Sequence, residues 1–211
     1  MKKFRIEALK ERNEWFNSLT PAEKRVEVAK DVLVSLKSGE FSLGLGYLSM
    51  EFNAAIAPGS NMQCVIEENE MTQCVGCAIA AIFYSRIALG NGVRNDLYHD
   101  NSNSLYFGRE EIHEKFKDIF SENELEKIEV AYERCGLYGS SLALNVRYNY
   151  IMWGENKYAL FASQNIDERV EFLEVKGYPL HLGINSHDYA QFRLILAIME
   201  NIIKNKGRFR V

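Results

Sequence analysis

Three prolines in 211 residues force few turns, and the fourteen glycines do not gather into a linker. With no internal repeat and no low-complexity segment, the chain has little room for a disordered connection between separate bodies. An excess of positive charge is missing too. The formal net charge is −4, whereas broad nucleic-acid binding needs a basic face that displaces counterions. The one concentrated basic stretch, "KNKGRFRV", reads as a solvated end rather than a phosphate clamp. No apolar run approaches the roughly 18–20 residues of a membrane span; the longest runs only from Cys77 to Tyr84. Charges interrupt the opening "MKKFRIEALKERNEWF", so no secretory signal is expected. Four cysteines at irregular spacing, without an export signal, read as reduced thiols in a cytoplasm.

What is present is an ordinary globular composition, 47% hydrophobic and 26% charged, in a chain long enough to bury a substantial core. Residues 3–18 carry Phe4, Ile6, Leu9, Trp15 and Phe16 among charges and read as an amphipathic helix. Thr20, Pro21 and Glu23 form an N-terminal cap with a capping box. Val26, Ala29, Leu33 and Leu36 then mark one apolar face, and Gly39 supplies the stop. Residues 40–66 read as irregular, with a short strand near 45–52. The acidic loop "EENEMT" leads into a helix over 72–90, apolar on nearly every side and therefore buried. Thr72 or Asn69 is its expected cap. A polar loop "VRNDLYHDNSNSLYFG" precedes two helices over 109–135, the second opened by a Ser121–Glu124 capping box and the pair forming a hairpin. Residues 136–183 look least helical, with a β-hairpin expected around Gly154 and a short helix ended by Gly177. Ser186 or Asn185 caps a long final helix, whose apolar face runs from Tyr189 to Ile203.

The expected fold class is mainly α: a single compact helical domain with a small β element. Its parts are N-terminal helices 3–38, a central buried helix 72–90, a helical hairpin 109–135, an irregular or β region 136–185, and a C-terminal helix 187–206.

The chemistry centres on Cys74 and Cys77 in "NEMTQCVGCAIAAIFYSRIALGNG". Their C-x-x-C spacing is half of a tetrahedral zinc site. The remaining candidates, Cys64, Cys135, His99 and His113, supply no second pair at ligand spacing. No histidine precedes Cys74, which rules out a deaminase-type zinc motif. A thioredoxin-like redox pair follows a buried strand, but the residues before Cys74 read as an acidic loop. A nucleophilic cysteine at a helix start, with His181 as base and Asn185 as orienter, faintly echoes papain-type hydrolases. The favoured reading is that Cys74, Cys77, Ala78, Ala80 and Ala81 are small residues that let other elements approach the central helix. No metal and no cofactor is expected.

Weaker signals point to binding. The glycines of "SLGLGYL" lack the strand-then-helix context of a dinucleotide loop. Glu110, Glu111, Glu114 and Asp118 read as a solvated helix face. Arginines pair with phosphate and aromatic rings stack on bases. On that ground Tyr84, Arg86, Arg94, Arg109, Arg147, Tyr148 and Trp153 are the candidate ligand-binding residues.

Three stretches, "LTPAEKRVEVAKDVL", "CVGCAIAAIFYSRI" and "RLILAIMENIIKNKGRF", resemble a family of small uncharacterised proteins encoded by tailed bacteriophages and prophages. That family shares a capped first helix, a C-x-V-C-A buried-helix motif and an ending of the form "IMENIIxNxGxF". Cys74 and Cys77 fall on its cysteines, Ala80 stands where its glycine is expected, and residues 140–185 have no counterpart. No activity, and so no catalytic residue, comes with the resemblance. It implies an accessory phage protein in the cytoplasm of an infected bacterium, of the kind that counters host antiviral defence. The leading expectation is a homo-oligomeric, non-enzymatic binder that sequesters a nucleotide-derived immune signal. The alternatives are direct inhibition of a host defence protein and a cysteine-dependent hydrolase. Neither a nucleic acid nor a membrane is an expected partner.

Overall fold

Local chemistry sets the first two helices, α1 (Lys2–Ser18) and α2 (Pro21–Ser38), in a computed structural model that describes residues 2–44, 48–90, 93–94, 102–133 and 153–210. The Thr20 hydroxyl accepts from the Glu23 amide at 3.3 Å, and the Glu23 carboxylate accepts from the Thr20 amide at 2.8 Å. This reciprocal cap satisfies donors that the first helical turn leaves open. Gly39, at φ 78°, closes the helix in the left-handed conformation. The buried stripe runs through Val28, Ala29, Val32 and Leu36, rotated slightly from the expected Val26–Leu33 line.

A four-stranded sheet follows, formed by β1 (Ser42–Leu43), β2 (Leu48–Ile56), β3 (Met71–Gly76) and β4 (Ser102–Phe107) in the order β1-β3-β2-β4. β2 lies between β3 and β4 and is antiparallel to both, while β1 runs parallel to β3. Leu48, Met50 and Phe52 alternate inward along β2, as a half-buried strand requires. Met50 pairs with Cys74 on one side and Leu105 on the other. A short helix α3 (Met62–Glu68) links β2 to β3.

Two expectations need correcting here. The helix expected over 72–90 is the strand β3 followed by α4 (Ala78–Leu89), with Cys77 as its N-cap residue. Pairing with β2 holds residues 71–76 extended, and that partner lies about twenty positions upstream, beyond the reach of local periodicity. Likewise the polar loop before Gly108 contains β4, recruited by the other edge of β2.

α4 is the centre of the core. Every residue from Ala78 to Ile87 is buried, the signature of a helix apolar all round. Phe83 meets Phe107 of β4 and Phe116 edge-to-face at 5.3 and 5.5 Å. α5 (Arg109–Lys115) and α6 (Glu122–Glu133) follow, with Ser121 and Glu124 forming the second reciprocal cap.

α7 (Lys157–Ala162), α8 (Ile166–Lys176), a 3-10 turn (Leu180–Gly183) and α9 (Ser186–Lys204) complete the order. The described part of the expected β-hairpin is therefore helical: Asn156 caps α7 through the Ala159 amide, and a side-chain cap settles the local choice toward helix. The first part of that hairpin lies outside the described residues. Asn165 and Glu168 cap α8, Gly177 ends it at φ 69°, and Asn185 caps α9. The tail is not a solvated end. Phe209 is buried, Gly207 packs against Ala22, and Asn201 hydrogen-bonds the Arg210 backbone at 2.8 Å. The whole is a mainly α domain with a small mixed sheet. No described helix is long and apolar enough to cross a membrane.

Candidate functional site

Cys74 and Cys77 sit at the turn from β3 into α4, both within the core. Cys74 occupies an inward position of β3 opposite Met50, only 4% exposed. Burial, with Glu40 nearby, pushes its thiol far above the ordinary cysteine range. A thiol held protonated is a poor nucleophile. The segment before the pair is thus a strand and not the expected loop, but Cys74 lies inside that strand rather than at a helix start. Among the described residues no group of three or more histidines, cysteines, aspartates or glutamates is arranged to hold a metal ion. Asn185 accepts from the His187 amide at 2.8 Å as the α9 cap, and His181 lies on the adjoining 3-10 turn. Cys135 lies outside the described residues.

Of the candidate ligand residues, the described ones make separate contacts. Tyr84 and Arg86 stand two positions apart on α4, so their side chains point about 160° apart. Tyr84 is 3% exposed and packs against Phe41. Its hydroxyl is pushed up by burial and by the neighbouring Cys74, Glu40, Asp31 and Glu67. The Arg86 guanidinium lies 5.4 Å from the Phe16 ring and 3.6 Å from Asp118. Arg94 reaches the Gly59 carbonyl at 3.4 Å on the surface. The Trp153 indole donates to the Ala131 carbonyl at 3.5 Å and meets Phe209 edge-on at 5.8 Å. Arg109 opens α5; its side chain, with Arg147 and Tyr148, lies outside what the structure describes.

A polar seam joins α2 and α4 beneath Tyr84. Burial raises the Asp31 carboxyl above the usual range, against the pull of the Ser85 hydroxyl and Arg12, while Glu40 adds to the rise. Arg12 closes one side of this seam through Glu67 at 2.8 Å and the Ala88 carbonyl at 3.2 Å.

The surface offers a more accessible site. A cavity of about 280 Å³ lies where α2, the end of α8 and α9 meet. Leu33, Val34 and Leu196 provide its apolar walls, Tyr178 its aromatic surface, and Lys37 and Lys176 its cations. The Lys37 ammonium stands 5.1 Å from the Tyr178 ring centre. Glu200 lines the same groove, and burial followed by Glu200 raises the Tyr178 hydroxyl. A second cleft, of about 460 Å³, runs along α5 toward the start of α6 and is mainly acidic, with Glu110, Glu114 and Glu122 around His113. Lys117 already pairs with Glu114 there.

Reading along the sequence missed the α2–α8–α9 groove. Its residues come from three distant segments, and each is unremarkable alone: Lys37 and Lys176 look like basic residues complementing helix C-termini. The one visible hint was the pair of glycine stops, Gly39 and Gly177, which bring two helix ends near an aromatic residue.

No family model matches the chain, and no curated protein and no solved structure is significantly similar to it.

Proposed function

We propose that the protein is a non-enzymatic binder whose ligand site is the groove between α2, α8 and α9. One observation carries this reading: Lys37 and Lys176 outnumber the single acid, Glu200, in a cleft otherwise lined by Leu33, Val34, Leu196 and Tyr178. Two cations beside an aromatic and aliphatic surface suit an anion with a flat apolar part, the chemistry of a nucleotide. At about 280 Å³ the cavity falls just below the range of small-molecule sites, roughly 300–1,000 Å³, and so takes at most one nucleotide-sized unit. Tyr178 is 7% exposed, packed on Phe192 and covered by Lys37; a base reaches the ring only as the ammonium swings away toward the phosphate. With the phage resemblance, the role becomes that of an accessory protein in the cytoplasm of an infected bacterium. It sequesters a nucleotide-derived immune signal, as a homo-oligomer, without turning it over.

The test is native mass spectrometry on protein taken from cells with active defence signalling, followed by thermal unfolding with a panel of nucleotides. A phosphorus-containing adduct of a few hundred daltons, and a midpoint shift abolished by Lys37→Glu with Lys176→Glu, are expected. At a hundredfold excess over Kd, a ligand that binds only the folded state adds about 2.7 kcal/mol. An apo mass and no shift with any nucleotide sink the reading.

A second reading, direct inhibition of a host defence protein, draws on a different observation. Val34, Val175, Leu180 and Ile184 are 61%, 77%, 47% and 69% exposed, and Val34 lines the groove itself. Exposed apolar side chains, one of them lining a shallow groove, suit a protein partner. That reading expects no nucleotide shift and a stoichiometric protein complex lost on Val34→Glu.

A further inference from the structure

Arg169 breaks a rule that the other buried or part-buried arginines obey among the described residues. Arg12 pairs with Glu67, Arg25 with Glu124 and Arg86 with Asp118, while Arg193 is stacked on aromatic rings and hydrogen-bonded to Tyr189. Arg169 is 8% exposed, and its Nε and Nη1 are buried with no hydrogen-bond partner. A guanidinium keeps its charge in proteins, so it cannot escape the cost of burial by losing a proton. A buried charge without a counter-ion calls for an explanation.

The local sequence leaves it unpaired. On a helix, neighbours within reach stand three or four positions away. For Arg169 these are Asn165, Ile166, Phe172 and Leu173, none acidic. Asp167, Glu171 and Glu174 point away, on the side of the helix about 140–160° round from Arg169. Glu168 is committed to the Asn165 amide at 3.0 Å. Two elements pack against this stripe: α9, whose Tyr189 and Arg193 meet Phe172, and the 3-10 turn Leu180–Gly183, "LHLG", which carries no acid. It closes backbone-first: a Cβ on Gly183 would stand 2.8 Å from Leu173 Cδ1 and 3.6 Å from Arg169 Cβ. Exposed Leu180 and Ile184 rim the seam, with His181 between them.

We propose that Arg169 is the receptor of an oxyanion, a phosphate or a carboxylate group, that a molecule outside the chain brings to the seam between α8 and the 3-10 turn. Arginine offers paired N–H donors in a planar fork, which either oxyanion accepts. The site is separate from the groove of Lys37 and Lys176. It stands or falls without that reading.

The full chain is unfolded thermally at constant ionic strength, with inorganic phosphate replacing chloride in one series and acetate in another. Wild type, Arg169→Met and the Lys37→Glu/Lys176→Glu double variant are compared. Phosphate or acetate raises the wild-type midpoint in a saturable way, by about 5–10 °C at a hundredfold excess over Kd. Arg169→Met does not respond, and the double variant responds as wild type does. A response to phosphate alone assigns a phosphorylated ligand, and a response to acetate alone a carboxylate-bearing one. No response from wild type, or an equal response from Arg169→Met, overturns the proposal. Should Arg169→Met not fold, the Arg169 Nε–H resonance of wild type is followed by NMR. Slower solvent exchange on anion addition supports the site, and an unmoved resonance refutes it.

Discussion

Arg25 Nε donates to the carbonyl oxygen of Gly207 at 2.5 Å, and Nη1 of the same guanidinium donates to the Ile119 carbonyl at 2.5 Å. The planar fork thus ties α2 to the segment between α5 and α6 and to the tail beyond α9. Glu124 lies 3.6 Å away and the Phe120 ring 5.8 Å away, so the cation is balanced and covered. The basic tail serves folding: its backbone is held while Lys204, Lys206, Arg208 and Arg210 stay exposed.

Gly207→Ala is therefore expected to destabilise the protein. At φ 86° the position suits only glycine, and an added Cβ would overlap the Ala22 backbone. Backbone strain and overpacking together predict a loss of about 1–3 kcal/mol. Urea unfolding measures it; a change within about 0.5 kcal/mol, typical of an uninvolved surface site, would mean that the tail is not clasped.

Arg193 holds α7 and α8 against α9. Its guanidinium carbon lies 3.7 Å from the Phe172 ring centre and 4.5 Å from that of Phe161. Nη1 donates to the Tyr189 hydroxyl at 2.7 Å. Planarity is what lets one side chain face two rings, so Arg193→Lys should lose most of what Arg193→Ala loses. The expected cost is about 1–3 kcal/mol for either. Hydrogen exchange at α7 amides should rise before that at α4 amides. Uniform protection across both helices would argue against a local clasp.

How far the sequence led depended on the range of the interaction that decides each element. Thr20–Glu23, Ser121–Glu124 and the Gly39 and Gly177 stops lie within four positions of the ends they define, and all were legible. β3 was not, because "MTQCVG" runs straight into an apolar helix and only pairing with Met50 and its neighbours holds it extended. β4 and the tail failed for the same reason, each held by a partner far away in sequence. Tyr84 and Arg86 were singled out for their chemistry. Their burial, set by packing of α2 and the residues around Phe116 on α4, has no local signature. Arg169 was passed over as one charge among many on α8, since its missing partner shows only once the 3-10 turn is in place.

The cysteines should be chemically quiet in the folded state. Cys74 and Cys77 are 4% and 1% exposed, and alkylation at pH 8 with peptide mapping should find them unmodified until the protein unfolds. Cys64, half-buried on α3, has a thiol raised by burial and by Glu68 and Glu67. It should react before either, yet more slowly than a solvent-exposed thiol. Cys74→Ser places a hydroxyl between Met50 and the apolar face of α4, at a cost of about 1–3 kcal/mol. Rapid labelling of Cys74 in native protein would reopen the nucleophile reading.

Two carboxylates on α2 give opposite pH signs. Asp31 is raised in the folded state, first by burial. The folded protein therefore holds its proton more tightly than the unfolded chain. Stability falls as pH rises from the ordinary aspartate range, about 3.9, through the raised folded value, and is flat above. Glu23 is lowered by the Thr20 hydroxyl and amide. Its contribution is present above the ordinary glutamate range and is lost as pH falls through the lowered folded value. Asp31→Asn should accordingly stabilise the protein at pH 7 and bring no gain at pH 3, where both states are already protonated. Thermal midpoints of wild type and Asp31→Asn from pH 3 to 8 decide the matter. A variant less stable than wild type at pH 7 would mean that the ionised carboxylate is held by favourable contacts and not merely tolerated.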